Sequence, residues 1–365
     1  MRILNRHRLT KPWSAETVYV GRGHPLGNPY RIGQDGTREE VIEQYRTWLE
    51  DALRRENPHV LAALRTLREN SDLVCSCAPA PCHGDVIAEI WARERERLEA
   101  RPAVFVFGSN LAGRHGAGAA RYAAAVFGAA AGVGSGPTGQ SYAIPTKDER
   151  LKTLPLERIA PEVRAFYRYA EGHPDADFLV TPIGCGLAGY RKEWIAPLFA
   201  TPPRNVWFTD AGFDALVSRP VVVRRVIVAG SRSVADRRLV FDALDRLAAK
   251  WGGERFEVVC GEARGADALG REWARERGYP VVAMPARWNA TDAPCAIVHE
   301  KTGRRYNARA GMDRNAWMAA YGTHLAAFWD GESSGTRHMI KTAEACGVHT
   351  WVKIISAPSD SRANQ

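Results

Sequence analysis

Residues 225–231 read RVIVAGS, four apolar residues between a basic residue and a small-residue turn. A short apolar run that ends at glycine is typical of a strand buried in a parallel sheet. Four later apolar segments follow along the chain: FEVVCG, PVVAMP, THLAAFWD and HTWVKII. Four helix-prone stretches lie between these segments. Strands that alternate with crossover helices predict a doubly wound, Rossmann-like sheet over residues 221–355.

Four polar segments would meet at the carboxyl edge of this sheet, where such folds bind ligands: AGSRS (229–233), CGEARGADALGREWA (260–274), AGMDRNAWM (310–318) and FWDGESSGTRHMI (328–340). Their arginines would bind an anion, and hydroxyls and backbone amides at a helix N-terminus would wrap a phosphate. The carboxylates of Asp267 and Asp330 would accept sugar hydroxyls or orient the arginines. The candidate ligand-binding residues are Gly230, Ser231, Arg232, Gly261, Arg264, Gly265, Arg314, Asn315, Asp330, Gly331, Ser333, Gly335 and Thr336.

These four ordered motifs closely resemble the YspA-like branch of the SLOG superfamily. The resemblance implies a nucleotide-type ligand and a homodimer formed through this domain. SLOG relatives include LOG-type phosphoribohydrolases, which cleave the base–ribose bond of a nucleoside monophosphate, DprA-type DNA-binding proteins and sensors of NAD-derived signals. The LOG-type loop PGGxGT, with a catalytic glutamate after it, is matched only in part by DGESSGTRHM. Glu262, Asp267 and Glu332 are therefore the candidate catalytic acids.

Residues 102–212 also alternate between apolar runs and helical patterns, which predicts an α/β layered domain. Two glycine-rich loops follow apolar runs in this segment: FGSNLAGRHGAGAARY (107–122) and TPIGCGLAGY (181–190). Glycines between a strand and a helix allow backbone N–H groups to approach a ligand closely. Two such loops at one edge of a sheet can hold a diphosphate between them.

The stretches RHGAGAA, YAIPTK and IGCGL resemble a macrodomain, most closely the terminal ADP-ribose glycohydrolase branch. That resemblance implies an ADP-ribose-like ligand, a catalytic lysine at Lys147 and a ribose or base contact at Asn110. The branch has an aspartate directly after GCGL, where this sequence has Ala188, so the resemblance implies binding more directly than hydrolysis. The other implied ligand-binding residues are Gly116, Gly118, Gly184, Gly186, Leu187, Gly189 and Tyr190.

Residues 1–100 predict a small α+β domain. Thr37 and Glu40 fit a capping box at the start of a helix. The stretches YVGRGHPLGNPYRIG and CSCAPAPCHGD resemble a small domain family of phage and bacterial proteins whose function is unknown. Arg22, Asn28 and Arg31 suggest a phosphate or sugar contact site. The ligand types that suit zinc are Cys75, Cys77, Cys82 and His83, although a buried or reactive thiol group and plain packing are the alternatives.

The whole chain of 365 residues therefore predicts an α/β protein of three domains, followed by a disordered tail over 356–365. Its net charge of +9 favours anionic partners. The sequence has no run of eighteen apolar residues and no signal peptide, so we expect a cytoplasmic protein without a membrane partner. No cofactor is required by any of the motifs.

Three functions fit these observations. The first is an enzyme that cleaves an N-glycosidic or ADP-ribosyl bond in a nucleotide, with Lys147 as the candidate nucleophile. The second is a sensor or sponge that binds a signal nucleotide, such as a cyclic ADP-ribose, without turnover. The third is recognition or removal of ADP-ribose or modified bases on nucleic acid, where Trp288 and Trp329 could stack on a base.

Overall fold

The computed structural model describes residues 1–10, 14, 16–252 and 254–355. The predicted tail over 356–365 lies outside these ranges. The described residues group into two compact units. The first unit comprises Met1–Lys152, Phe166–Ala196 and Pro202–Leu216, and the second comprises Thr153–Ala165, Pro197–Thr201 and the chain from Val217. The division into three domains, with boundaries at 1–100, 102–212 and 221–355, stays a prediction.

The N-terminal part of the first unit is a parallel sheet with helices packed on it. Its elements are β1 (Arg2–Asn5), β2 (Thr17–Tyr19), α1 (Arg38–Arg54), α2 (Pro58–Arg65), β3 (Asp72–Cys75) and α3 (His83–Glu99). The strand order is β1-β3-β2, and both pairs are parallel. The predicted capping box is confirmed, since the Thr37 side chain accepts the Glu40 N–H and the Glu40 carboxylate accepts the Thr37 N–H.

The second part of this unit contains a larger sheet. Its elements are β4 (Ala103–Asn110), α4 (Gly118–Phe127), β5 (Gly136–Thr138), β6 (Ser141–Lys147), α5 (Leu156–Glu171), β7 (Asp177–Val180), α6 (Lys192–Ile195), β8 (Val206–Phe208) and α7 (Ala211–Asp214). The part of α5 that ends at Ala165 groups with the second unit, and the part from Phe166 groups with the first. The strand order is β5-β6-β4-β7-β8. β5 is antiparallel to β6, and the other pairs are parallel. The sequence predicted β4, β6, β7 and β8 but not the short edge strand β5, which is only three residues long and contains a proline.

The second unit is built on the predicted parallel sheet. Its elements are β9 (Arg224–Gly230), α8 (Arg237–Lys250), β10 (Phe256–Cys260), α9 (Ala266–Glu276), β11 (Val281–Ala283), β12 (Val298–Lys301), β13 (Arg304–Asn307), α10 (Ala310–Tyr321), β14 (His324–Trp329), α11 (Ser334–Ala345) and β15 (His349–Ile354). The strand order β11-β10-β9-β14-β15, parallel throughout, confirms the doubly wound prediction. The antiparallel hairpin of β12 and β13 was not predicted.

The core of this second unit is apolar on both faces of the central strands. Val226, Val228 and Val258 are fully buried on one face and Ile227 and Val259 on the other, as the apolar runs of the sequence require. α8 packs against α9, and α10 packs against α11. None of the helices in the described part of the chain combines the length and apolar character that crossing a membrane requires.

Candidate functional site

The sheet of the second unit reverses its winding direction between β9 and β14. The chain moves outward from β9 through β10 to β11 and then returns to place β14 on the other side of β9. A crevice therefore lies beyond the carboxyl ends of these two neighbouring strands. The loops after the strands meet there, because the Ser231 N–H donates to the Phe328 carbonyl (2.9 Å) and the Asp330 N–H donates to Ser231 Oγ (3.1 Å).

Asp330 organises the loop after β14. Its carboxylate accepts hydrogen bonds from the N–H groups of Ser333 (2.8 Å) and Glu332 (3.1 Å) and from Ser233 Oγ (3.0 Å). These bonds, that from the Ser333 N–H above all, lower the pKa of Asp330 to about 2. The side chain predicted to contact a sugar is therefore an ionised carboxylate that holds the loop in shape.

Arg314 brings α10 into the same crevice. Its guanidinium donates to the Gly261 carbonyl (2.6 Å) and to Asn315 Oδ1 (3.1 Å). Burial lowers the pKa of Arg314, Asp267 raises it, and the nearby positive charge of Arg232 lowers it further. Arg314 is thus fixed against the loop after β10, and the Arg232 backbone lies against Gly265 of that same loop, where an added Cβ would be 2.9 Å from Arg232 Cα.

The glycines of the second unit fall into two groups. At three of them an added Cβ would clash with a neighbouring segment. It would lie 2.2 Å from the Phe328 carbonyl oxygen at Gly230 and 2.2 Å from Arg314 Nη1 at Gly261. At Gly265 it would lie 2.4 Å from the Ser231 carbonyl oxygen. These three glycines allow the loops to touch one another. A Cβ at Gly331 or Gly335 would meet nothing within 4 Å, so the α11 end of the crevice is open.

The hydroxyl groups predicted to wrap a phosphate form a helix cap. The Ser333 side chain accepts the Thr336 N–H (3.4 Å), and Thr336 Oγ1 donates to Ser333 Oγ (3.0 Å). Thr336 is buried, whereas Ser333 is partly exposed. Ser333 is therefore the N-cap of α11, and the first turn of this helix, which contains the exposed Gly335, follows directly after the loop that Asp330 holds.

The candidate acids differ in their surroundings. Glu262 forms an ion pair with Arg271 and accepts a hydrogen bond from Cys260 Sγ (3.2 Å), and its φ of +58° is unusual for a residue with a side chain. Asp267 is buried, which raises its pKa, and it accepts the Gly261 N–H (3.0 Å). Glu332 is exposed, and no hydrogen bond or ion pair to its carboxylate is formed within the described ranges.

His338 lies beside this site, and sequence reasoning missed it. Its Nδ1 is 3.2 Å from Asn315 Nδ2, and burial lowers its pKa. Its Nε2 is buried without a hydrogen-bond partner among the described residues. His338 belongs to the stretch FWDGESSGTRHMI and lies four residues after Ser334 on α11. Residues four apart lie on the same side of a helix, and this spacing is the signal by which the sequence could have placed His338 beside the site.

The remaining candidates of this unit lie at the surface or on the crevice rim. Arg232 and Arg264 are exposed. Trp329 Nε1 donates to the Ser333 carbonyl (3.2 Å), and Arg337 lies over its ring. Trp288 is 44% exposed, which leaves its ring open to a partner.

In the first unit, the two predicted glycine loops share one sheet edge. β6, β4 and β7 are neighbouring parallel strands, so Lys147 at the end of β6 lies in register with Asn110 at the end of β4. Asn110 closes its own loop, since Oδ1 accepts the Arg114 N–H (3.0 Å) and Nδ2 donates to the Arg114 carbonyl (2.7 Å). The amide predicted to contact a ligand is thus engaged within the protein.

The loop over 181–190 follows β7 at this same edge. Gly184 has a φ of +74°, which favours glycine, and a Cβ there would also lie 3.2 Å from Ile195 Cδ1. Four others have open space around the Cβ position: Gly116, Gly118, Gly186 and Gly189. Leu187 is 72% exposed, whereas Ala188 and Tyr190 are buried. The edge is open, with Lys147 beside it.

The cysteine cluster forms a thiol pair. Cys75 Sγ and Cys82 Sγ are 3.3 Å apart, and both residues are buried. The hydrogen bond from Cys82 lowers the pKa of Cys75 to about 5, and the same contact raises the pKa of Cys82. His83 Nε2 instead contacts the Val20 carbonyl (2.8 Å). In the described ranges, no group of three or more His, Cys, Asp or Glu side chains is arranged to hold a metal ion, and zinc binding stays a prediction.

Two segments of the chain match known families. Residues 4–93 match the family described as "Domain of unknown function (DUF4326)", and residues 224–290 match the "YspA, cpYpsA-related SLOG family". Both resemblances that the sequence motifs gave for these segments are thereby confirmed. The macrodomain resemblance of residues 102–212 stays a prediction.

Two phage proteins are similar to parts of this chain. "Gene 61 protein" of Mycobacterium phage D29 is 34% identical over 131 residues, which are 34% of this chain and 93% of that protein. "Uncharacterized 12.4 kDa protein in nrdA-td intergenic region" of Enterobacteria phage T4 is 37% identical over 92 residues, 24% of this chain and 75% of that protein. The solved structure of DNA processing protein A (DprA) from Streptococcus pneumoniae aligns at 15% identity and a TM-score of 0.28, over 38% of this chain and 52% of that one.

Proposed function

This chain belongs to the family of the phage Gene 61 protein and carries an N-terminal DUF4326 domain and a C-terminal YspA-related SLOG domain, and on that premise we propose that the crevice between β9 and β14 binds a nucleotide or NAD-derived ligand through its phosphate. The observation that carries the proposal is the meeting of three loops at the switch point of the sheet, where the Ser231 N–H donates to the Phe328 carbonyl and Arg314 donates to the Gly261 carbonyl. The arginines at this edge, Arg232 and Arg314, suit a phosphate, to which a guanidinium donates paired hydrogen bonds. The open space at Gly331 and Gly335 leaves room for it.

A pair of substitutions at Gly335 tests this proposal. Because a Cβ at Gly335 meets nothing within 4 Å, Gly335→Ala should leave the protein intact, whereas Gly335→Glu should place a carboxylate in the crevice. A panel of ADP-ribose, NAD, cyclic ADP-ribose isomers and nucleoside monophosphates would be screened by thermal shift. A ligand at a hundred times its Kd should stabilise the parent and Gly335→Ala by about 2.7 kcal/mol, and Gly335→Glu much less. A melting curve that no ligand shifts would contradict the proposal.

Cleavage of an N-glycosidic bond is the reaction proposed for this crevice, with Glu332 as the acid. The Glu332 carboxylate is exposed and has no partner among the described residues. The other two candidate carboxylates have partners, since Glu262 pairs with Arg271 and Asp267 accepts the Gly261 N–H. The acid form of Glu332 would protonate the base nitrogen as its bond to the sugar carbon breaks, and water would add to that carbon. The proton that the water loses would pass to the solvent, from which Glu332 is protonated again. Free base and ribose phosphate should then form in the parent and not in Glu332→Gln, by mass spectrometry.

Binding without turnover is the second candidate, and the engagement of Glu262 and Asp267 within the protein favours it. In that case every stabilising ligand should be recovered unchanged from the parent. The same screen with single-stranded DNA at two salt concentrations tests the nucleic-acid alternative. A steep loss of affinity with salt is expected for a nucleic acid and a shallow one for a small ligand.

For residues 102–212 we propose an ADP-ribose-like ligand at the edge formed by the ends of β4, β6 and β7. The open glycines Gly116, Gly118, Gly186 and Gly189 support this proposal. Gly118 has a φ of +56°, so the more conservative blocking variant is Gly116→Glu, with Gly116→Ala as its control. Loss of ADP-ribose stabilisation in Gly116→Glu alone would assign the ligand to this edge, and loss in Gly335→Glu alone would assign it to the SLOG crevice.

A further inference from the structure

A cavity of about 450 Å³ opens in the DUF4326 domain, between the loops after β2 and β3 and the start of α1. This volume lies in the range of small-molecule sites. Three arginines line the cavity: Arg6, Arg22 and Arg38. The described residues that line it include no aspartate and no glutamate. The cavity is therefore basic, and the proposed function of the SLOG crevice does not account for it.

The three arginines are not neutralised within the protein. Arg6 donates to the Tyr19 hydroxyl (3.1 Å) and Arg38 to the Pro81 carbonyl (3.4 Å). In the described ranges, none of the three forms an ion pair with a carboxylate. Nearby arginines of the same domain do, as in the pair of Arg2 with Asp72 at 2.6 Å. Guanidinium groups left without carboxylates around a cavity suit a bidentate anion such as a phosphate.

Apolar and aromatic side chains form another part of the lining. Tyr19 and Tyr30 line the cavity together with Val41 and Ile42. Asn28 also lines it, but its side chain is engaged, since Oδ1 accepts the Tyr30 N–H (2.9 Å) and Nδ2 donates to the Val41 carbonyl (3.2 Å). A ring or sugar could lie against the tyrosines while its phosphate faces the arginines.

The Cys75–Cys82 thiol pair also lines the cavity. One thiolate on this pair would be a single negative charge, which the three guanidinium groups outnumber. Cys77 lines the cavity too and is half-buried. It therefore offers a local chemical reporter of whether the cavity is occupied.

We propose that this cavity is a second ligand site, in which Arg22 and Arg38 bind the phosphate of a small phosphorylated molecule and Tyr19 and Tyr30 flank its ring or sugar. The site is separate from the SLOG crevice and does not depend on the function proposed there. Arg31, which the sequence grouped with Arg22, is exposed and does not line the cavity.

Protection of Cys77 from alkylation tests this proposal in the full chain. The rate of iodoacetamide labelling at Cys77 would be measured by peptide mass spectrometry with AMP, ribose 5-phosphate, inorganic phosphate or adenosine. We expect protection by AMP or ribose 5-phosphate and none by adenosine. Protection by AMP alone would identify a nucleotide, and equal protection by both would identify the sugar phosphate as the recognised part. Each variant's rate with ligand is divided by its own rate without ligand.

Matched arginine variants give the decisive comparison. Arg22→Gln should weaken protection by about tenfold or more, the effect of losing one hydrogen bond between charged groups. Arg31→Gln should protect as the parent does, and so should Gly335→Glu, whose change lies in the SLOG domain. The inference is overturned if no phosphorylated probe slows labelling, if adenosine protects as well as AMP, or if Arg22→Gln protects fully.

Discussion

Replacing Arg65 with methionine should destabilise the first unit by about 3 kcal/mol. Arg65 Nη1, at the end of α2, lies 2.6 Å from Asp177 Oδ2 at the start of β7, and the two side chains are only 13% and 7% exposed. Methionine keeps the apolar stem but leaves the Asp177 carboxylate buried without its main partner. Arg101 remains 3.4 Å from that carboxylate, so we expect the lower end of the range known for broken buried pairs.

Thermal unfolding of the full chain measures this effect. A loss of 3 kcal/mol corresponds to a fall in the melting temperature of about 6–12 °C for a unit of this size. Combining Arg65→Met with Asp177→Asn should cost clearly less than the sum of the single changes, because the two residues share one interaction. The matched control is Arg95→Met, which breaks exposed ion pairs with Glu69 and Glu99 and should cost less than about 1 kcal/mol.

Equal losses in Arg65→Met and Arg95→Met would refute this reasoning. Since Arg65 belongs to the DUF4326 segment and Asp177 to the following segment, the result also bears on the domain boundary. A single transition that moves as a whole would mean that residues 1–100 and 102–212 unfold together. Two transitions, of which only one moves, would mean that they are independent domains, as the sequence predicted.

Three further predictions concern the capping box, a core residue and the crevice. Thr37→Ala should cost about 1 kcal/mol in urea unfolding, since it removes the cap of α1, and an unchanged midpoint would contradict the cap. Trp273→Ala should cost about 3–5 kcal/mol, because Trp273 is fully buried, and a parent-like melting temperature would contradict that packing. The pKa of Asp330 is lowered to about 2, so its stabilising effect is full above its ordinary value near 4 and is lost as the pH falls towards 2. Trp329 fluorescence, which reports on the same loop, should show this acid step in the parent and not in Asp330→Asn.

The strands of the SLOG domain could be predicted because each is a short apolar run that ends at a small or polar turn. RVIVAGS and THLAAFWD became β9 and β14, neighbours in the sheet with about ninety residues between them. The hairpin of β12 and β13 could not be found in the same way. Its strands, VHEK and RRYN, are mostly exposed and charged, so neither alternation nor an apolar run marks them.

The candidate site was predicted at the level of loops and less well at the level of side chains. The motifs around Gly230, Gly261, Arg314 and Gly335 meet at one sheet edge, because parallel strands place their carboxyl ends together. What each side chain does depends on neighbours that are distant in sequence. Asn110 was expected to contact a ligand, but it is bonded to Arg114 within its own loop.

The N-terminal sheet has a consequence for how the chain is made. β1 and β2 do not pair with each other, and each pairs with β3, which the ribosome completes more than fifty residues after β2. During synthesis from the N-terminus, the first two strands emerge without a partner and with exposed backbone donors and acceptors. The DUF4326 sheet can close only once Asp72–Cys75 has left the exit tunnel. The loops and arginines around its cavity can therefore reach their final positions only after β3 has been made.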